Sequence, residues 1–286
     1  MSRSLDPASD TARRGLAAGP WRRRARAAYR LGHALWRKVY RRPQRLKGTD
    51  YHRRWKMSLR DWLAYHQAQI VFDQSTWMGV PMLKNPLDSW IYQEILYAVQ
   101  PEVLVEIGSH SGGSTLFFAQ LMDLIGVGQV ISLDIDRSRY RVSHPRIVEL
   151  TGDCSAPEIV GKVAALCQGR RTLVIHDGDH RREAVLRDLE LYAPLVSPGS
   201  YLIVEDGILD LFPPSDAFGW LVEGPLPATE DFLARHPEFE VDASRERYLM
   251  TYNPRGFLRR LPDAPSEATA DASPSAAGHA DRLEPS

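Results

Sequence analysis

Six acids stand where a folded sheet would display them. Glu106, Asp134, Asp153, Asp177 and the pair Glu205-Asp206 each close a short β-rich apolar run. A single such acid is an ordinary helix cap, but five runs that all end this way at one rim are poorly explained by solvation. Asp177, Glu205 and Asp206 repel one another unless protons or a cation intervene. Oxygen donors without thiolates suit Mg²⁺ rather than zinc, and Mg²⁺ keeps positions for water or substrate oxygens. A metal there would hold acceptor hydroxyls, lower their pKa and orient the attacking oxygen. Solvated acidic loops with no metal are the plain alternative. His180, three residues after Asp177 in His176-Asp-Gly-Asp-His180, is placed to take a proton, with an ordinary pKa of about 6.5. Capping or packing competes with that role; Asp179 either orients His180 or starts the next helix. His110 is the second candidate base.

The run Glu106-Ile-Gly108-Ser-His-Ser-Gly112-Gly113 is not a dinucleotide fingerprint, because His110 stands where G-x-G-x-x-G requires its second glycine. The spacing E-x-G-x-x-x-G is instead that of S-adenosylmethionine sites. Gly108 and Gly112 let the backbone turn tightly and approach the methionine part of that cofactor. Asp134, 26 residues after Gly108, is placed to accept both ribose hydroxyls, and Asp153 to sit near the adenine. An ordinary tight turn and a helix cap are the competing readings. Cys154 reads as a small buried residue.

The elements that must position these residues alternate. Val103–Ile107, Gln129–Leu133, Ile147–Leu150, Thr172–Ile175 and Tyr201–Val204 read as strands, and 114–125, 156–167 and 181–195 as helices. Such alternation predicts an α/β fold: parallel strands, right-handed crossovers and a doubly wound sheet with flanking helices. Ligands of such sheets bind at the carboxyl ends of the strands. The stretch after Asp206, with Leu211, Phe212, Pro213, Pro214, Phe218 and Trp220, suits a substrate lid, where Phe218 or Trp220 would stack on a sugar ring or simply pack.

Composition sets the limits. The chain has 286 residues, 43% apolar, with 36 basic and 36 acidic side chains and two cysteines. That is enough for a proper core, too few thiolates for a disulfide framework or zinc cage, and no run approaches the roughly 20 apolar residues of a membrane span. No secretory h-region opens the chain, so the expected location is cytoplasmic, with peripheral attachment at the inner membrane surface left open. Zero net charge hides an asymmetry, because residues 1–47 carry twelve Arg and two Lys against Asp6 and Asp10. Within it, the 21–42 segment has helical spacing and a basic face. That face suits packing on its own domain, on a second protomer of a homo-oligomer, or on an anionic membrane surface; no nucleic-acid module accompanies it. Residues 261–286, rich in Ala, Pro, Ser and Asp, read as a disordered acidic tail. The expected layout is a basic extension over 1–48, one domain over 49–260, and the tail, with both termini flexible.

The motifs together resemble the cephalosporin hydroxylase family, a Rossmann-like group similar to S-adenosylmethionine-dependent O-methyltransferases. It includes rhamnosyl O-methyltransferases, and macrolide-sugar O-methyltransferases are related. The resemblance runs from Trp77-Met-Gly79, Lys84-Asn-Pro86-Leu-Asp88 and Gln93-Glu94 through Glu106-Ile-Gly108, Leu133-Asp134, Gly152-Asp153-Cys154, Asp177-Gly-Asp179-His180 and Val204-Glu205-Asp206. It closes with Gly224-Pro225, Phe232-Leu233 and Asn253-Pro254-Arg255-Gly256-Phe257-Leu258. It implies cofactor contacts at Glu106, Gly108, Gly112, Ser114, Asp134 and Asp153, and a divalent metal at Asp177, Glu205 and Asp206. The expected activity is Mg²⁺-dependent methyl transfer to a hydroxyl of a sugar in a glycolipid, polysaccharide or glycosylated natural product, with Asp177 and His180 catalytic on the reading of the residues above. Some members carry two adjacent acids where this chain has Asp177-Gly178-Asp179, so Asp179 is left to share or replace part of the role. The 21–42 helix and the tail have no counterpart in the family. A non-catalytic scaffold docked on a membrane or biosynthetic complex is the alternative from another class. A nicotinamide oxidoreductase is a third, opposed by His110 in the glycine loop.

Overall fold

Alternation of side chains along each buried run decides the architecture. In strand β3 (Val103–Ile107), Val103, Val105 and Ile107 join one apolar cluster and Leu104 the other. The same split recurs in β4 (Gln129–Asp134), β6 (Thr172–His176) and β7 (Tyr201–Val204). Strands covered on both faces read as continuous apolar runs, the mark of a parallel sheet between helical layers. One face carries helices α2 (Pro86–Val99) and α3 (Gly113–Ile125); the other carries α4 (Pro157–Cys167), α5 (Arg182–Tyr192) and α6 (Pro225–Leu233).

A computed structural model describes residues 55–212 and 223–262. The 21–42 helix, Pro213, Pro214, Phe218, Trp220 and all of the tail beyond Pro262 lie outside the described residues. With β5 (Ile147–Thr151), β8 (Phe239–Val241) and β9 (Phe257–Arg260), the sheet has seven strands in the order β5-β4-β3-β6-β7-β9-β8. The first five named are parallel, and β9 runs antiparallel between β7 and β8. The strand order reverses between β3 and β6, which opens the crevice where such sheets bind ligands. No helix among the described residues is long and apolar enough to cross a membrane.

Two elements before the sheet feed the site. A hairpin, β1 (Thr76–Trp77) and β2 (Val80–Pro81), turns through Met78 and Gly79, both at positive φ. Trp77 packs edge-on against Phe117 and donates from Nε1 to Gln120 Oε1 at 2.7 Å, which fixes the hairpin on α3. The chain then reaches Asn85, whose side chain accepts from Leu87 N at 3.2 Å and caps α2, with Pro86 in the first turn. Both choices are strong helix-start signals, and they leave Lys84 at the point of entry. Helix α1 (Leu59–Tyr65) and the π-helical turns His66–Val71 pack beside the start of the 207–212 segment, with Leu63, Val71, Ile208, Leu209, Phe212, Met250 and Tyr252 in one cluster.

Candidate active site

The glycine loop and the acid motif are built against each other. Gly108 has φ +92°, and a Cβ there would run into the carbonyl of Asp177, so only glycine fits. Gly108 N donates to Leu133 O and Asp177 N to Ile107 O, each at 2.8 Å, so the ends of β3, β4 and β6 form one ledge. Gly112, also at positive φ, starts α3. His110 N donates to Asp134 Oδ2 at 2.7 Å, and Asp136 N to Asp134 Oδ1 at 2.9 Å, which holds that carboxylate beside the loop. Asp153 accepts from Ser155 N and Oγ at 3.0 and 2.7 Å and opens the turn into α4. Glu106 is fully buried beneath the loop and accepts from the Thr115 hydroxyl. Burial raises its pKa, against the pull of Lys84. Ser114 is buried in the first turn of α3. Through Thr115, Glu106 ties the end of β3 to the first turn of α3. Both nitrogens of the His110 ring have neighbours, Ser111 Oγ at 2.9 Å and Arg139 Nη1 at 3.1 Å, and burial followed by Arg139 lowers its pKa.

Asp177, His180 and Asp206 each present one ligand atom, and these atoms lie within 4.8 Å of one another. His180 Nε2 is 3.3 Å from Asp206 Oδ2 and 4.0 Å from Asp177 Oδ1, while its Nδ1 is buried with no hydrogen-bond partner. Glu205, expected beside the two aspartates, is not in that group. It is 4% exposed and faces Lys84 Nζ at 2.6 Å from Oε1. Lys84, 3% exposed, also lies 2.6 Å from Asp177 Oδ2. Burial alone would lower the pKa of Lys84, but Asp177, Glu205 and Glu106 reverse the sign, so it stays an ammonium ion. Burial raises Glu205 and Asp206, opposed by Lys84 and His180 respectively. Asp179 is turned outward onto Arg181, with Nε at 2.9 Å, and does not share the cluster.

Residues 69–261 match the family model described as rhamnosyl O-methyltransferase/CmcI. The chain belongs to this family. Among its relatives, the rhamnosyl O-methyltransferase of Mycobacterium leprae (strain TN) is 35% identical over 203 residues, covering 68% of this chain and 87% of that protein. The rhamnosyl O-methyltransferase of Mycobacterium tuberculosis (strain H37Rv) is 30% identical over 231 residues, 78% of this chain and 88% of that one. The fold is shared with a solved structure of CmcI with Mg and SAM, at a TM-score of 0.54 and 24% identity over 77% of this chain and 87% of that one.

Several site residues escape motif reading. Lys84 is the first. Asn253 is the second: its Oδ1 accepts from Asp206 N at 3.1 Å and its Nδ2 donates to Tyr92 OH at 2.7 Å. That holds Asp206 at φ 62°, a backbone region unusual for a non-glycine residue. The only sequence signals were the resemblance motifs that contain both. His176 points to the opposite layer, with Nε2 3.1 Å from Asp188 Oδ2, and Cys154 Sγ donates to the same oxygen at 3.2 Å. Burial and Asp188 push the Cys154 thiol well up, which fits an inert packing residue.

Asp88 is the third. It is 3% exposed, Oδ2 accepts from Asn85 Nδ2 and Tyr252 N at 2.9 and 2.8 Å, and Oδ1 has no partner. Burial pushes its pKa up to about 6. A folded value above the unfolded one favours the native state fully below about pH 4, and that contribution is lost as the pH rises through about 6. Asp88→Asn abolishes this dependence. The stability of wild type relative to the variant, from denaturant titrations, is expected to fall by up to about 3 kcal/mol between pH 4 and pH 7. A difference flat in pH would show that folding leaves the pKa of Asp88 at its ordinary value.

Proposed function

We propose that this protein transfers the methyl group of S-adenosylmethionine to a hydroxyl of a glycosylated acceptor, assisted by Mg²⁺. The observation that carries the reading is the contact between the Gly108 turn and the Asp177 backbone. It sets a cofactor loop and an acid cluster on one ledge, as a donor and an acceptor in line require. The rhamnosyl O-methyltransferases among its relatives supply the acceptor class.

The residues fit both groups. Gly108 and Gly112 leave a surface free of side chains, and Asp134, held by backbone N–H groups at its inner edge, is the ribose acceptor, with Asp153 toward the adenine. The carboxylates of Asp177 and Asp206, with one oxygen of each within 4.8 Å of the other, suit a small divalent cation, and His180 stands beside them. When bound, Mg²⁺ would draw neighbouring acceptor oxygens together and lower the pKa of the reacting hydroxyl. His180 takes the proton at Nε2, and Asp206 Oδ2 at 3.3 Å stabilises the imidazolium that results. No observation favours the scaffold reading.

Calorimetric titration with S-adenosylmethionine tests the reading. Asp134→Ala is expected to weaken binding by roughly a hundredfold, about 2.7 kcal/mol, while chelation of divalent metal leaves it nearly unchanged. Absence of binding to the wild-type chain would sink the methyltransferase reading. The basic segment 1–47 supports contact with an anionic membrane surface, which liposome sedimentation of the full chain tests against the alternative of self-association.

A further inference from the structure

Asp206 reaches the acid cluster from a left-handed backbone, φ 62°, a region that Asp enters more readily than most side chains but still at a cost. The contact that offsets this cost comes from a distant turn, where Asn253 Oδ1 accepts from Asp206 N at 3.1 Å. Of the two ends of an amide, only the oxygen can accept from an N–H. The NH₂ end must therefore be held elsewhere, and Nδ2 donates to Tyr92 OH at 2.7 Å. With the Tyr92 oxygen accepting that bond, its own proton is left for the Glu205 carboxylate that it faces. Tyr92 and Asn253 are each 1% exposed, so these bonds run through a low-dielectric interior that strengthens them. Asn253 N is fixed in turn on Thr251 Oγ1 at 2.9 Å.

We propose that Tyr92 and Asn253 are positioning residues for the metal site: by locking one orientation of the Asn253 amide, the Tyr92 hydroxyl holds Asp206 in the backbone conformation that aims its carboxylate at Asp177 and His180. The inference rests on the reading of this cluster as a metal site. Without the hydroxyl, the buried NH₂ loses its acceptor. The amide then turns, a donor meets the Asp206 N–H, and the backbone relaxes toward an ordinary region. A carboxylate that must first be brought back into place holds a cation more weakly, which is how partners behind the ligands govern metal affinity. The cofactor side is left as it is, because Asp134 is held by His110 N and Asp136 N. Tyr92→Phe is the sharpest probe. It removes one oxygen and keeps the ring that packs against Phe118 and Phe257.

The test uses the full chain. Mn²⁺ binding is followed by electron paramagnetic resonance of the free ion, cofactor binding by calorimetry, and thermal unfolding in chelator. Tyr92→Phe is expected to weaken Mn²⁺ binding by about tenfold and Asn253→Ala by about thirtyfold. S-Adenosylmethionine affinity should stay within about threefold of wild type, and the Tm of Tyr92→Phe within about 4 °C. The two substitutions combined should bind Mn²⁺ within about threefold of Asn253→Ala alone, since they act through one amide. Full additivity overturns the inference, because Tyr92 would then act by another route. Unchanged Mn²⁺ affinity in Tyr92→Phe overturns it as well, and so does an equal loss of metal and cofactor affinity, which would mark general loosening. If Asn253→Ala does not fold, the Mn²⁺ and cofactor affinities of Tyr92→Phe decide alone. No Mn²⁺ uptake by the wild-type chain sinks the metal reading itself, and the inference with it.

Discussion

Asp177→Asn lowers kcat for methyl transfer by roughly a thousandfold, about 4 kcal/mol of barrier, while affinity for S-adenosylmethionine changes by less than about threefold. Oδ2 of this carboxylate meets Lys84 at 2.6 Å, and Oδ1 lies 4.0 Å from His180 Nε2. An amide carries no charge, so it gives up the ion pair with Lys84 and is a poor ligand for a dication. Asp134, the proposed ribose acceptor, lies at the end of β4, two strands away across β3, and keeps its own partners. Single-turnover rates on a rhamnosylated acceptor, beside calorimetry with the cofactor, separate the two effects. A parallel loss of both would show that Asp177 acts through the backbone contact with Gly108 instead of through its carboxylate.

Gly108→Ala is expected to abolish cofactor binding and to destabilise the fold by more than about 3 kcal/mol. Two costs add. The residue sits at φ +92°, and the new Cβ would overlap backbone atoms of Asp177 and press on Gly178. Backbone at the end of a central strand cannot yield as a flexible side chain would, so the β6 terminus and the loop move apart together. Gly126→Ala is the control. Its φ is +86°, but no atom lies within 4 Å of the added Cβ, so only the conformational cost of about 1 kcal/mol applies. Denaturant midpoints and cofactor titrations of both variants check this; equal losses would mean that φ strain alone matters.

Four of the five parallel strands, β3, β4, β6 and β7, were legible because both their faces are largely buried. The edge strand β5 is half-exposed and shows itself by its apolar and β-branched residues alone. Observed and expected ends differ by a residue at most; β4, for example, includes Asp134 itself. The antiparallel pair at the far edge was not legible. β8 is three residues long with Glu240 exposed, and β9 ends in two arginines; neither carries an apolar run. The site divides in the same way. Carboxylates after strands announce themselves by type and place, whereas Lys84 meets Asp177 across 93 positions of sequence and belongs to a residue type that is seldom buried. The contact of Glu205 with that distant ammonium was hidden for the same reason: the sequence names the acid but not its partner.

The hydrogen bond from Asp206 N to Asn253 has a consequence for biosynthesis. Asn253 belongs to the turn leading into β9, which slots between β7 and β8 after every other strand has been made. Domains emerge from the ribosome amino-terminal end first, so the Rossmann-like half carrying Gly108 and Asp134 is translated long before the residue that fixes Asp206. A nascent chain can therefore acquire its cofactor ledge early, yet it becomes competent for catalysis only when its closing strand arrives.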